Sequence, residues 1–183
     1  MIDLLLRAKH WQLFIILIVI PITLQFNYLN LYSIFPYVMV VVNFLVFAWI
    51  WSIAIGLQEN LPDHISMKTK KFKTFFFISL IYFTAVVFAI GGFGELNLNQ
   101  YLNENSTVMV ILIPVHLFSA FCAFYCLYFT AKTIKTIEKR KKVSFGDFTV
   151  EFFLIWFYIV GIWIIQPKVN KLYKRRNTTA NNV

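Results

Sequence analysis

The chain has 183 residues, of which 60% are hydrophobic and 14% are charged, and it carries a formal net charge of +9. Ordinary soluble domains are about 45–50% apolar and about 25% charged, so a water-soluble fold of this length would leave large apolar patches exposed. The composition therefore excludes an ordinary soluble domain and predicts an integral membrane protein.

Two other classes of protein are excluded by the arrangement of the residues. A membrane β-barrel needs strands of roughly ten residues that alternate apolar and polar side chains, whereas the runs Val38–Val42 and Phe75–Ile78 are apolar throughout. A nucleic-acid-binding protein carries a basic patch on a soluble domain, whereas here the basic residues flank apolar segments. We therefore expect an all-α fold in lipid, with an anionic inner leaflet attracting the basic residues and no nucleic-acid partner.

Five apolar segments follow one another along the chain and are the candidate membrane helices. They cover about residues 11–26, 36–57, 75–90, 108–130 and 148–165. The first has a basic flank, as a signal peptide does, but no small-x-small cleavage site follows Pro21, so we interpret it as an uncleaved anchor. The whole chain, 1–183, is predicted to form a single membrane domain with short loops.

All 17 lysine and arginine residues fall into four clusters, and their distribution predicts the orientation of the chain. The connections 27–35 and 91–107 contain none of them. With a cytoplasmic N-terminus and four spanning helices, the first three clusters all lie in the cytoplasm, as the positive-inside rule expects for the inner membrane of a bacterium. The clusters are Arg7 and Lys9; Lys68, Lys70, Lys71 and Lys73; Lys132, Lys135, Lys139, Arg140, Lys141 and Lys142; and Lys168, Lys171, Lys174, Arg175 and Arg176.

The segment 148–165 decides the side of the last cluster. As a helix it would be about 27 Å long, just enough to span, but Glu151 lies near its start, and Gly161 and the pair Gln166-Pro167 lie near its end. If it spans, 12 basic residues lie inside and 5 outside, whereas all 17 lie inside if it re-enters or lies along the interface. We expect four spanning helices and a fifth re-entrant or interfacial segment, with five spanning helices as the alternative.

Two basic regions are predicted to continue as helices beyond the membrane. Good helix formers follow the fourth apolar segment, so we expect a helix from about Val108 to Lys142 that ends in a basic stalk of two to three turns. In the tail, residues 167–183, one helical face is apolar and the opposite face basic, which predicts a short amphipathic helix on the membrane surface. The apolar face consists of Val169, Leu172 and Tyr173.

Polar side chains inside apolar segments are costly in lipid and are therefore the candidate functional groups. Asn43 is interpreted as a hydrogen-bonding link between helices rather than a ligand site. His116 is interpreted as bonding locally, with a proton relay or a metal ligand as the alternative. Glu151 is interpreted as pairing with basic residues at the cytoplasmic boundary, with proton or ion handling as the alternative. Gln166 completes the candidates, and Gln25 is interpreted as reaching the lipid headgroups.

The chain contains none of the common catalytic or nucleotide-binding motifs, so we expect that it is not an enzyme and has no cofactor. Cys122 and Cys126 share a helix face because they are four residues apart. With His116 they make an incomplete metal set, since zinc sites need three or four ligands. We interpret both cysteines as small packing residues and expect no metal.

Two stretches resemble parts of a family of small bacterial multispanning membrane proteins to which no activity is attached. They are Ala8–Phe14, AKHWQLF, and Ile159–Asn170, IVGIWIIQPKVN. The resemblance covers about a tenth of the chain and carries over no functional residue. It implies that the two stretches belong to one feature on the cytoplasmic side, with the amides of Gln12 and Gln166 near each other.

Three functions from different classes fit these patterns. The first is a non-enzymatic accessory or scaffold protein of a bacterial membrane complex, because catalytic motifs are missing, the loops are short and the inner face is basic. The second is an oligomeric channel, small transporter or membrane-permeabilising effector, with Asn43, His116 and Glu151 along a pathway. The third is an intramembrane enzyme acting on lipid, with His116 and Glu151 as an acid–base pair. A protein partner or further copies of the chain are expected in the first two.

Overall fold

The protein is described here by a computed structural model that covers residues 2–27, 35–92 and 106–180, in which every regular element is a helix. The predicted all-α class is confirmed for these residues. The helices are α1 (Ile2–Arg7), α2 (His10–Phe14), α3 (Ile20–Asn27), α4 (Phe35–Gly56), α5 (Thr69–Gly92), α6 (Ser106–Lys139), α7 (Phe145–Trp156) and α8 (Tyr158–Ala180). A π-helical turn at Ile15–Val19 joins α2 to α3, and a 3-10 turn at Gln58–Asn60 follows α4.

Three of these helices, α4, α5 and α6, are long and apolar enough to cross a membrane. They have 22, 24 and 34 residues, and about 20 apolar residues suffice for a bilayer. The first predicted span corresponds to α2, the π-helical turn and α3, whose apolar stretch His10–Leu24 is shorter. The structure thus supports a membrane protein with three such helices.

Consecutive long helices run antiparallel, and the buried side chains of all three meet at one end of the bundle. The Phe72 and Phe129 rings stack with centroids 4.7 Å apart, and Trp51 packs on Phe76 at 4.8 Å. We call this end the basic end, because it contains the last turn of α4, the first turn of α5 and the last turn of α6 with their flanking lysines. Fully buried side chains concentrate there, including Trp49, Ile53 and Ile134.

The last turns of α6 differ from the predicted free stalk. Thr133, Ile134, Thr136 and Ile137 are buried, so the helix is surrounded by protein where a stalk was expected. The threonines tolerate burial because their hydroxyls bond back to the helix, as Thr133 Oγ1 does to the Phe129 carbonyl at 2.9 Å. The helix ends at Lys139 rather than Lys142, and the next residue has a left-handed φ of 52°.

The fifth apolar segment is not one continuous helix. It is broken at Phe157, where α7 ends and α8 begins. The two helices then lie side by side, since Lys168 Nζ reaches Glu151 Oε1 at 2.6 Å across the turn. Gly161 permits this approach, because a Cβ there would overlap the carbonyl oxygen of Leu154. Both ends of the segment therefore lie towards the basic end.

The predicted stop at Gln166-Pro167 and the predicted surface helix after it are wrong. Helix α8 continues through Pro167 to Ala180; the ring costs one backbone hydrogen bond but does not end the helix. The apolar face of the tail packs on the protein rather than on the membrane surface: Val169, Leu172 and Tyr173 are buried. Tyr173 donates a hydrogen bond to Asp3 Oδ1 at 2.7 Å, which ties the tail to the N-terminal helix.

Candidate functional site: polar side chains that join the helices

Gln166 lies at the centre of the contact between the two ends of the chain and is fully buried. Its Oε1 accepts a hydrogen bond from Trp49 Nε1 at 2.9 Å. Its Nε2 donates to the carbonyl of Leu5 at 2.8 Å and to that of Ala8 at 2.9 Å. Leu5 lies in the last turn of α1 and Ala8 directly follows the helix, where helix carbonyls lack an internal donor. One amide thus joins α8 to α4 and closes the end of α1.

The two stretches named for their resemblance, 8–14 and 159–170, contact each other. The Trp163 ring lies 4.9 Å from that of His10 and 5.3 Å from that of Phe14, centroid to centroid. Asn170 Nδ2 adds a hydrogen bond of 3.0 Å to the Ala8 carbonyl. The Gln12 side chain bonds within its own stretch: its Oε1 accepts a 2.8 Å hydrogen bond from the backbone N–H of Lys9 and caps α2.

Glu151 is 4% exposed and holds together three helices through lysines. Its Oε1 accepts from Lys135 Nζ of α6 at 2.9 Å and from Lys168 Nζ of α8 at 2.6 Å. Glu138 pairs with the same two lysines, at 2.9 and 2.8 Å. The four side chains form a ring with two positive and two negative charges. Such compensation is what a buried carboxylate requires, and the predicted pairing of Glu151 with basic residues is present.

A second ion pair and a capping box fix the start of α7. Asp147 forms a salt bridge with Lys139, and its Oδ2 accepts from the backbone N–H of Ser144 at 2.9 Å and from the Ser144 hydroxyl at 3.0 Å. This arrangement satisfies a donor at the helix N-terminus. The Lys139 ammonium and the two donors of Ser144 hold the pKa of Asp147 well below its usual range.

Asn43 lies between α4 and α5 in the half of the bundle remote from the basic end. Its Nδ2 donates to Thr84 Oγ1 at 3.0 Å, and Thr84 in turn donates to the carbonyl of Leu80 at 2.7 Å. This is the helix-to-helix link predicted for Asn43. Gln25 was predicted to reach the headgroups, but its side chain lies outside the described part of the chain.

His116 is bound to a neighbouring helix rather than to its own. Its Nδ1 and the hydroxyl of Tyr82 on α5 are hydrogen-bonded at 2.9 Å, so the expected local bond is replaced by a bond between helices. Lys135 contacts Glu151 and lies 19 residues after His116, which is about 28 Å along α6. The proposed acid–base pair of His116 and Glu151 is therefore not assembled in this structure.

The cysteines and the acidic groups do not assemble a metal centre in the residues that the structure describes. Cys122 and Cys126 are both free and buried among the packed side chains of α6. This position agrees with their interpretation as packing residues.

The partners of the candidate side chains were not identified by the sequence reasoning. Trp49, Thr84 and Tyr82 had no signal that separated them from the many other aromatic and hydroxyl residues of the apolar segments. In the sequence, Lys135 and Lys168 serve only as evidence for the orientation of the chain in the membrane. In the structure, their distances to Glu151 make them the two cations of the ring. The signal that could have identified these two lysines was Glu151 itself, because a carboxylate within an apolar segment close to basic clusters needs a cationic partner.

No family model, no curated protein and no solved structure matches this chain.

Proposed function

We propose that the protein is a non-enzymatic, multipass component of a bacterial inner membrane complex that acts as an accessory or scaffold subunit. One observation carries the proposal: all four candidate side chains, Asn43, His116, Glu151 and Gln166, are bonded to another helix. Polar groups that an intramembrane reaction or transport path would use are here employed in holding helices together. Among the described residues, the side-chain bond of His116 goes to Tyr82 rather than to an acidic group, which does not favour a lipid-modifying enzyme.

The proposed topology has a cytoplasmic N-terminus, four spans and a re-entrant hairpin. The first span consists of α2, the π-helical turn and α3, and the other three are α4, α5 and α6. The hairpin consists of α7 and the first part of α8. Its tip contacts the membrane part of α6, since Trp156 packs on Phe124 with centroids 4.9 Å apart.

The contacts of the tail at the basic end support a cytoplasmic C-terminus. Asn60 Nδ2, in the connection between α4 and α5, donates to the Leu172 carbonyl at 2.9 Å, and Tyr173 bonds to Asp3. With these contacts the tail, the N-terminus and that connection lie together. All 17 basic residues are then cytoplasmic, as the positive-inside rule favours.

A scaffold subunit should purify together with its partner. We expect that the tagged full-length chain, extracted from its native membranes in mild detergent, recovers one other membrane protein in a fixed ratio. An unrelated tagged multipass protein from the same membranes provides the control. Recovery of a monodisperse monomer with no associated protein at near-native expression would contradict the proposal.

A second function, an oligomeric channel, transporter or permeabilising effector, is favoured by the outer half of α6. Residues 110–118 are exposed on every face of the helix, His116 among them. A histidine on a lipid-facing surface is costly, and further copies of the chain would cover it. Purified protein in liposomes tests this function: ion or dye flux supports it, and tight liposomes at all protein densities and membrane potentials contradict it.

A further inference from the structure

One surface of α5 and α6 combines lysines, phenols and exposed apolar rings in a continuous track. On α6 the track residues are spaced by four, four, three and four positions, so they share one helical face. Lys71 and Phe75 of α5 border this face at the basic end. The α6 residues are Leu117, Phe121, Tyr125, Tyr128 and Lys132. We call this surface the α5/α6 track.

The lysines of the track are held over aromatic rings. Lys71 Nζ lies 5.5 Å from the ring centroid of Phe75 and 5.4 Å from that of Tyr125. Lys132 Nζ lies 5.6 Å from the Tyr128 centroid, and the two tyrosine rings stack with centroids 6.1 Å apart. Cation–π contacts of this kind orient an ammonium group without neutralising it. Each of the two stacked tyrosine rings thereby has one ammonium group over it.

Among the described residues these cations lack an acidic partner, in contrast to their neighbours. Lys135, Lys139 and Lys168 each pair with a carboxylate, whereas Lys71 and Lys132 have no ion pair with any described residue. The hydroxyls of Tyr125 and Tyr128 likewise have no hydrogen-bond partner within the described ranges. The site thus presents two positive charges and two hydroxyl donors. This is a donor set that a phosphate group can satisfy.

The remainder of the track is apolar and leads away from the basic end. Phe121 is 58% exposed and Leu117 is 65% exposed, and Phe121 packs on Phe75 with centroids 6.2 Å apart. From Lys132 to Leu117 the helix rises about 22 Å. A free phosphate ion would make no favourable contact with this apolar surface. A ligand with a phosphate at one end and a long apolar chain at the other matches both parts.

We propose that the α5/α6 track binds one anionic phospholipid, with its phosphate between Lys71 and Lys132 and an acyl chain along Phe121 and Leu117. Basic sites between membrane helices at the cytoplasmic side are known to hold anionic headgroups. The inference rests on α5 and α6 being embedded in the bilayer and is independent of the scaffold role. It differs from general attraction to an anionic leaflet, because it assigns one molecule to two of the 17 basic residues.

The test uses the full chain in nanodiscs that contain equal amounts of phosphatidylglycerol and phosphatidylcholine. After gentle extraction, native mass spectrometry counts the retained lipids. We expect one retained phosphatidylglycerol for the wild type and at least about a tenfold lower occupancy for Lys71→Gln/Lys132→Gln. The matched control is Lys141→Gln/Lys142→Gln, which removes two exposed lysines outside the track and should retain the lipid.

Further arms separate lipid binding from simpler explanations. Lys71→Arg/Lys132→Arg keeps both positive charges and should retain the lipid. Each single glutamine variant should lower the retention in part, which keeps the proposal testable where the double glutamine variant folds poorly. Tyr125→Phe/Tyr128→Phe should weaken retention while keeping the rings. Equal losses in the track pair and in the control pair would overturn the proposal, because general attraction would explain them. Complete displacement by millimolar inorganic phosphate would also overturn it, since the apolar half of the track would then be irrelevant.

Discussion

Gly161 lies where α8 passes against the backbone of α7. Because a Cβ at this position would overlap the carbonyl oxygen of Leu154, Gly161→Ala requires the two helices to move apart. Alanine normally favours a helix over glycine, but an overlap with backbone costs about 1–3 kcal/mol. We expect the melting temperature in detergent to fall by roughly 3–10 °C.

Gly146 provides the matched control for this substitution. A Cβ at Gly146 would meet no atom within 4 Å, and the residue lies in the first turn of α7. Gly146→Ala should therefore leave the melting temperature unchanged or raise it slightly. If the two alanine variants melt alike, the close approach of α7 and α8 at Gly161 is wrong.

Gln166 offers a second test at the level of one side chain. Gln166→Leu keeps the size of the residue but removes its bonds to Trp49, Leu5 and Ala8. The buried indole N–H then has no acceptor, and an unpaired buried donor costs about 1–3 kcal/mol. We expect a corresponding loss in the free energy of unfolding, measured by denaturant titration in detergent.

A double-mutant cycle shows how much of this loss in the free energy of unfolding comes from the hydrogen bond to Trp49. Trp49→Phe removes the indole donor, so Gln166→Leu should cost less in the Trp49→Phe background than in the wild type. Equal costs in both backgrounds would mean that the hydrogen bond at 2.9 Å between these side chains contributes nothing to stability.

At the scale of the element, the start of α7 should contribute to the acid sensitivity of the hairpin. The folded-state pKa of Asp147 is depressed by Lys139 and Ser144. A depressed carboxyl pKa contributes stability above the unfolded-state value, about 3.9 for aspartate, and this stability is lost as the pH falls towards the folded-state value. The melting-temperature difference between the wild type and Asp147→Asn should therefore be constant from pH 7 to pH 5 and shrink below about pH 4.

The control for this prediction is Asp63→Asn in the exposed connection between α4 and α5. Asp63 forms no ion pair with a described residue, so its replacement should shift the melting temperature little at any pH. A difference between the wild type and Asp147→Asn that disappears already between pH 7 and pH 5 would contradict the assignment to Asp147.

The elements show how far sequence reasoning reaches in this chain. The spans that became α4, α5 and α6 were predicted because long apolar runs are sufficient evidence for a membrane helix. The break at Phe157 was not placed, because a phenylalanine within an apolar run carries no local stop signal. Pro167 did carry a stop signal, yet α8 passes through it. Its neighbours Gln166 and Val169 are buried, so tertiary packing overrides the local preference.

The sequence singles out the candidate side chains but not the residues that they contact. Asn43 and Glu151 were interpreted correctly in kind, as a link between helices and as a paired carboxylate, because lipid makes either group costly when alone. Which residues they meet depends on helix rotation and register. Periodicity does not specify these where nearly every position of a helix is apolar, as in residues 110–118 of α6.

At the scale of the whole molecule, the contacts of the tail make a prediction about sidedness. In a chain carrying Cys122→Ala and Cys126→Ala, Lys171→Cys and His64→Cys each place one thiol at an exposed position. Because Asn60 bonds to the Leu172 carbonyl, both thiols should lie on the same side of the membrane. In intact spheroplasts we expect neither to react with a membrane-impermeant maleimide, and both to react after permeabilisation.

The connection between α5 and α6 supplies the opposite control, since it contains no lysine or arginine. Asn99→Cys in this connection should react in intact spheroplasts. If Lys171→Cys reacted there as well while His64→Cys stayed protected, the tail would lie outside, and α7 and α8 would have to separate and cross the membrane as a fifth span. That arrangement would break the bonds of Lys168 to Glu151 and of Tyr173 to Asp3 together. The labelling pattern therefore tests the hairpin, the tail and the charge distribution in one experiment.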